Sequence, residues 1–242
     1  MSRIGLEICL DTPAGLAAAV AGGADRIELC AALDSEGLTP APGLMAQAGA
    51  CGVATFALIR CRAGDFVFDA GDLDAMRRDI DAARAAGLAG VVLGASRPDG
   101  RLDEAGLSGL IAHAAGLGAA LHRAFDVTPD KFEALETAVG LGFQRILTSG
   151  GRPGAPEGAD LIAELIQRAG ERVTIMPGAG LDDRNVADFV RRTGAREVHA
   201  ACRAPVAGQR GGLDAELGFV TPRLQDTSLA AIQAMRRALD GV

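Results

Sequence analysis

Two short stretches of the sequence repeat one pattern, Glu7-Ile8-Cys9 and Glu28-Leu29-Cys30. On a strand, residues two apart share a face, so each stretch presents an acid and a thiol together. Thiolates are soft metal ligands, and carboxylates move protons or balance charge. Further on stand Arg60-Cys61-Arg62, His122-Arg123-Ala124-Phe125-Asp126 and Glu197-Val198-His199, and two glycine-rich turns, Thr148-Ser149-Gly150-Gly151 and Gly178-Ala179-Gly180. Glu7, Glu28, Arg60, His122, Asp126 and His199 form a candidate acid–base and anion-binding set. Histidines that titrate near neutrality and paired carboxylates suit proton transfer, and a guanidinium can fork onto a carboxylate or phosphate. Ser149, Gly150, Gly178 and Gly180 are candidates for holding a phosphate through backbone N–H groups. The plainer readings are a salt-bridge network that fixes strand register, tight turns, and cysteines that serve as small core residues.

These residues need a scaffold that brings them to one end, and the sequence supplies one. A unit recurs in which an Ala-rich helical segment ends in Gly and a short apolar strand follows. Its clearest copies begin at Gly23, Gly87, Gly142 and Gly194. Gly closes a helix because it takes the left-handed conformation without penalty, and a short apolar run suits a strand buried on both faces. The pattern predicts strands near 4–10, 25–30, 53–60, 90–94, 119–124, 144–149, 173–178 and 196–201. It predicts helices near 13–22, 43–50, 72–86, 104–117, 129–141, 157–170, 182–193 and 228–240. Thr12-Pro13, Thr128-Pro129 and Asp182-Asp183 are the expected helix starts. Eight such units describe one α/β domain over residues 1–242, a single (βα)8 TIM barrel with its working site at the C-terminal ends of the strands. An open doubly wound sheet is the alternative, but no Gly-x-Gly-x-x-Gly follows the first strand.

In the barrel, Ile4, Leu6, Ile8, Ile27 and Leu29 should face the helices. Glu7, Cys9, Arg26, Glu28 and Cys30 should then point inward, with the sulfurs of Cys9 and Cys30 on neighbouring strands about 4.8 Å apart. Cys61 is a possible third thiol. His113 belongs on a helix surface, and Met45, Met76, Met176 and Met235 read as packing. Cys51 and Cys202 have no evident partner. The irregular stretch from Arg203 to Asp226, with Gly208, Gly211 and Gly212, would lie over the mouth.

Composition excludes several classes. The net charge of −7 and an aromatic content of 3%, with no Trp or Tyr, argue against nucleic acid and acidic membranes. No apolar run is long enough for a membrane span, and no signal peptide fits Met1-Ser2-Arg3-Ile4-Gly5, so a cytosolic protein with free thiols is expected. No nucleotide cofactor is indicated, and self-association is expected on general grounds alone.

Leu6-Glu7-Ile8-Cys9, Gly23 to Cys30, Gly37-Leu38-Thr39-Pro40, Ile59-Arg60 with Gly64-Asp65-Phe66, His122 to Asp126, Ile146 to Gly150 and Gly178-Ala179-Gly180 resemble the signature segments of the CutC family of copper homeostasis proteins. The resemblance covers residues 4 to about 201. It implies a TIM barrel and a cytosolic role in copper tolerance, and it places copper(I) on Cys9 and Cys30. Two departures stand out: the family usually has Arg-Pro-Arg where this chain has Arg60-Cys61-Arg62, and Arg203 to Thr221 holds neither a Tyr nor an Arg-Asn pair.

Two functions follow as expectations. One is copper(I) binding, with Cys9 and Cys30 as ligands and Glu7, Glu28 and His122 around them. The other is an isomerase, lyase or hydrolase acting on a small oxygen-rich or phosphorylated metabolite. In that enzyme Glu7 or Glu28 would be the base and His122 or His199 the acid, with Arg60 and the two turns as the anion clamp. A barrel that binds a small molecule without chemistry is the third possibility.

Overall fold

The computed structural model describes residues 3–206, 212–219 and 224–242. Eight parallel strands form the barrel wall: β1 (Gly5–Leu10), β2 (Arg26–Leu29), β3 (Thr55–Leu58), β4 (Gly90–Leu93), β5 (Gly118–Leu121), β6 (Arg145–Thr148), β7 (Thr174–Pro177) and β8 (Glu197–Ala200). Between them run α1 (Pro13–Gly22), α2 (Pro42–Gly49), α3 (Ala70–Ala85), α4 (Glu104–His113), α5 (Lys131–Leu141), α6 (Ala159–Ala169) and α7 (Val186–Thr193). After β8 come β9 (Arg203–Pro205), the short α8 (Leu213–Glu216), β10 (Gln225–Thr227) and α9 (Leu229–Asp240). The ladder runs β7-β6-β5-β4-β3-β2-β1-β8, and β7 then packs against β8 without hydrogen-bonded pairing. Outside, α9 packs against both α1 and α7 and completes the ring of helices. This is the (βα)8 TIM barrel expected from the repeat.

The parity argument holds. Leu6, Ile8, Leu10, Ile27 and Leu29 are buried in the large apolar layer between strands and helices. A smaller cluster fills the barrel itself, with Cys9, Cys30, Phe56, Leu58, Val92 and Ala120. Phe56 fits there because its neighbours at the same level are glycines. A Cβ on Gly90 would lie 2.3 Å from the Phe56 ring, and one on Gly118 would lie 2.8 Å from it.

Helix ends follow the expected chemistry in part. Thr12 caps α1, with Pro13 in the first turn. Gly23, Gly142 and Gly194 end their helices at φ of 82°, 86° and 74°. Two expected starts move. Thr128 gives its hydroxyl to the Phe125 carbonyl, and Asp130 instead caps α5 through the backbone N–H groups of Phe132 and Glu133. Asp182 and Asn185 bond each other across a turn, so α7 begins only at Val186. The fifth strand also stops early, at Leu121, because Arg123–Val127 wind into a 3-10 turn. β9 and β10 pair antiparallel beside the mouth. Gly208 and Gly211 of that connection lie outside the described residues. No helix among the described residues is long and apolar enough to cross a membrane.

Candidate functional site in the barrel mouth

The barrel interior is built in levels. At the floor, Arg26 of β2 donates to Glu197 of β8 at 2.6 Å, and Arg145 of β6 donates to the same carboxylate at 2.9 Å. Both guanidinium groups stand over the Phe56 ring, 5.8 and 5.9 Å from its centre. Arg26 also donates through Nε to Glu7 and through a terminal nitrogen to the sulfur of Met176.

One level up, Glu7 joins this floor to a histidine. Its Oε2 takes Arg26 and its Oε1 takes His199 Nδ1 at 2.8 Å. Burial pushes the Glu7 carboxyl up, but His199 and Arg26 outweigh it and bring it down to about 2. His199 is drawn well above the ordinary imidazole range. Burial opposes its charge, yet the sulfur of Cys9 and the carboxylates of Glu7 and Glu28 favour it more strongly. Its other nitrogen, Nε2, lies 3.7 Å from Glu28 Oε2.

Glu28 differs from Glu7 in its surroundings. It has no comparable donor, so burial dominates and lifts its carboxyl to about 7. A group raised on folding contributes stability below the ordinary carboxylate value of 4.5, and that contribution is lost as pH rises through about 7. Glu28→Gln, which cannot ionise, is therefore expected to improve relative to the wild type on going from about pH 5 to about pH 8. Urea midpoints at the two pH values check this. A mutant-to-wild-type difference that does not change with pH would remove the proton from Glu28.

Cys9, Glu28 and His199, all buried, hold their donor atoms within 4.8 Å of one another. Cys30 lines the same cavity but is not part of that group. Its thiol is pushed well up, first by burial and then by the charge of Glu28. Cys61 turns outward to Asp72 of α3, 3.6 Å away, so it cannot serve as a third thiol in the mouth. His113 ends α4 and pairs with Asp81 on the outer surface. Cys51 lies near Val53, also away from the mouth.

Across the barrel, His122 follows β5. Its Nδ1 accepts the Ala124 N–H at 3.0 Å, which leaves the proton on Nε2. Gly94 makes room for the ring, because a Cβ there would come within 2.2 Å of it. Burial, and then the charge of Arg60, press the imidazole down to about 3, so it is neutral at ordinary pH. Arg60 does not fork onto a carboxylate. Its terminal nitrogens bind the carbonyls of Ser35, Gly37 and Gly64, which ties the loops after β2 and β3 together.

The first glycine-rich turn holds an anion, but it is the chain's own. Asp126 accepts Thr148 Oγ1 at 2.5 Å, the N–H groups of Ser149 and Gly151 at 3.0 Å each, and Arg123 Nε at 2.8 Å. These bonds overcome burial and hold the Asp126 carboxyl below its ordinary value. The Gly150 and Gly178 N–H groups are also taken, by Thr148 Oγ1 and the Thr148 carbonyl. In this structure the N–H groups of Ser149, Gly150 and Gly178 are therefore not free to hold a phosphate as expected, and Asp126 anchors the turn. Gly180 lines the mouth, where its carbonyl accepts from Asn185.

These walls enclose a cavity of about 840 Å³ at the C-terminal ends of the strands. Arg203 of β9 borders it and binds Asp34 at 2.8 Å, joining the loop after β8 to the loop after β2. Ala32, Glu36, Ala179 and Cys202 are the non-glycine residues with positive φ among those described, and all four lie in the loops at this end. Such backbone strain collects where loops are shaped for a task.

Sequence reasoning did not single out Arg26, Arg145, Glu197 or Phe56 as site residues. A signal existed for three of them. In each copy of the repeat, the third residue after the helix-ending Gly falls at the floor: Arg26 after Gly23, Arg145 after Gly142 and Glu197 after Gly194. The copy after Gly87 puts Gly90 there, and so leaves space for Phe56.

Comparison with known proteins gives one consistent result. The profile of the CutC family matches residues 4–204. A CutC family protein of Caulobacter vibrioides (strain NA1000 / CB15N) is 57% identical, over 98% of this chain and 97% of its own length. One from Sinorhizobium medicae is 56% identical, over 100% of this chain and 98% of its own. The crystal structure of a Streptococcus agalactiae protein described as a copper homeostasis protein CutC superposes with a TM-score of 0.78 at 30% identity, covering 82% of this chain and 98% of that one. Thiamine phosphate pyrophosphorylase from Pyrococcus furiosus, at 14% identity and a TM-score of 0.59, shares the fold alone.

Proposed function

This chain belongs to the CutC family, and from that premise we propose that it is a copper homeostasis protein that takes copper(I) in its barrel mouth. The observation that carries the reading is the approach of Cys9, Glu28 and His199 donor atoms within 4.8 Å of one another. The donors suit the ion. A thiolate and an imidazole are ligands copper(I) accepts, and Cys30 supplies a further sulfur on the same cavity wall. Glu7 stands behind His199 as a carboxylate usually stands behind a metal-binding histidine, holding Nδ1 and turning Nε2 toward Cys9 and Glu28. A cation here takes the place of the proton on His199 Nε2, so uptake releases a proton and weakens as pH falls.

The test is anaerobic copper(I) titration against a competing chelator. The wild type is expected to take up one equivalent tightly, and Cys9→Ser to lose it. Glu7→Gln should weaken binding by roughly 10–100-fold, as removal of such a supporting carboxylate does. Cys30→Ser tells whether the second sulfur ligates. Uptake that is weak in the wild type, or that persists in Cys9→Ser, would overturn the reading.

One observation favours a second function in the same place. A cavity of about 840 Å³ far exceeds the room an ion needs and falls in the range of small-molecule sites. An isomerase, lyase or hydrolase would use Glu28, with its carboxyl near 7, as the base.

A further inference from the structure

We propose that the wall formed by Arg60 and His122 is the seat of a small-molecule oxyanion, a carboxylate or phosphate group, separate from the copper donors. It rests on the second reading above, since both residues line the same cavity, and it uses none of the copper donors.

Arg60 is buried to 6% exposure and borders the cavity, yet it makes no ion pair among the described residues. Three backbone carbonyls receive its terminal N–H groups, but none carries a full negative charge. Glu36, whose charge acts on it, is an exposed residue outside ion-pair distance. Of the other acids lining the mouth, Asp126 pairs with Arg123 and Thr148, Asp182 pairs with Arg184, Glu28 lies beside His199, and the exposed Asp183 is outside ion-pair distance of Arg60. Buried charges are seldom left uncompensated, so this guanidinium lacks an anion that a ligand can bring.

The donors for that anion are already in place. Arg60 Nε and His122 Nε2 are both buried without a hydrogen-bond partner. Unmet buried donors are costly, and two beside one cavity mark a place where an acceptor belongs. The backbone of Ala124 fixes the His122 tautomer, so Nε2 carries the N–H. Because the ring is held neutral down to about pH 3, it offers that donor throughout the ordinary pH range. Phe66 rests against both groups, 4.8 Å from the His122 ring centre and 5.3 Å from the Arg60 guanidinium carbon. It keeps bulk water off them, and a charge-assisted bond gains strength where water is excluded.

The chain has three histidines, which makes nitrogen-15 labelling of histidine a direct probe. Inorganic phosphate and malonate are titrated separately into labelled protein. The His122 Nε2 signal is expected to move and saturate with at least one of them: phosphate if the ligand carries a phosphoryl group, malonate if it carries a carboxylate. In Arg60→Gln the affinity is expected to fall by roughly tenfold or more, the loss typical of a bond to a charged partner. If Arg60→Gln does not fold, His122→Phe carries the test, read by whether the same probes still raise Tm. A Tm rise kept in His122→Phe would overturn the proposal. So would an unmoved His122 signal with both probes, or a shift undiminished in Arg60→Gln.

Discussion

Glu7→Gln is expected to lower unfolding stability by about 3–5 kcal/mol, the usual cost of breaking a buried charge pair from one side. Glu7 is 2% exposed and takes both Arg26 and His199. The amide keeps the shape but loses the charge, so two cationic groups remain in the barrel with less to balance them. Arg26 keeps Glu197, which limits the damage, but His199 faces a neutral amide in place of its closest carboxylate. The pH dependence follows from the sign of the shift. A carboxyl depressed on folding contributes stability above its ordinary value of 4.5 and loses that contribution as pH falls toward about 2. Wild type and mutant should therefore converge in acid. Urea unfolding at neutral and acidic pH measures both effects. A neutral-pH loss below about 1 kcal/mol, the range of exposed pairs, would show that water screens the network.

Asp126→Ala is the second large effect, expected to cost about 3–5 kcal/mol. Here the anion is lost from a turn shaped around it. Thr148 Oγ1, two backbone N–H groups and Arg123 Nε all lose their acceptor at once. Truncation also leaves a hole of carboxylate size, so added formate should restore part of the stability by binding where the side chain was. Thermal unfolding of mutant and wild type with formate, against chloride at equal ionic strength, decides it. Equal responses in the two proteins would mean that the vacated turn does not bind anions.

Much of this architecture could be read from the chain. Alternating parity in Leu6-Glu7-Ile8-Cys9 and its counterpart in β2 placed the acids and thiols inside, because a strand has only two faces and the helices claim the apolar one. The glycine after each helix marked where the next strand begins. What stayed hidden depends on distance across the barrel. Cys9 and Cys30 share a pattern, but the donor atoms gathered within 4.8 Å of the Cys9 sulfur belong to Glu28 and to His199 on β8, which lies 190 residues on in sequence. The turn at Thr148-Ser149-Gly150 has the composition of a phosphate cradle. Only the fold shows that the 3-10 turn after β5 delivers Asp126 into it. Arg60 followed by Cys61 looks like a cation next to a ligand, yet just past the end of β3 the two side chains diverge. Arg60 therefore reaches the mouth and Cys61 reaches Asp72.

The seam between β7 and β8 has a mechanical consequence. Every other neighbouring pair in the wall is joined by a ladder, so strain on the barrel concentrates where side chains alone hold it. A Cβ on Gly178, just beyond β7, would meet His199 at 3.2 Å, so the two edges already touch closely at the level of the site. The seam therefore borders the His199 side of the cluster, while Cys9 and Glu28 sit on the laddered β1–β2 side.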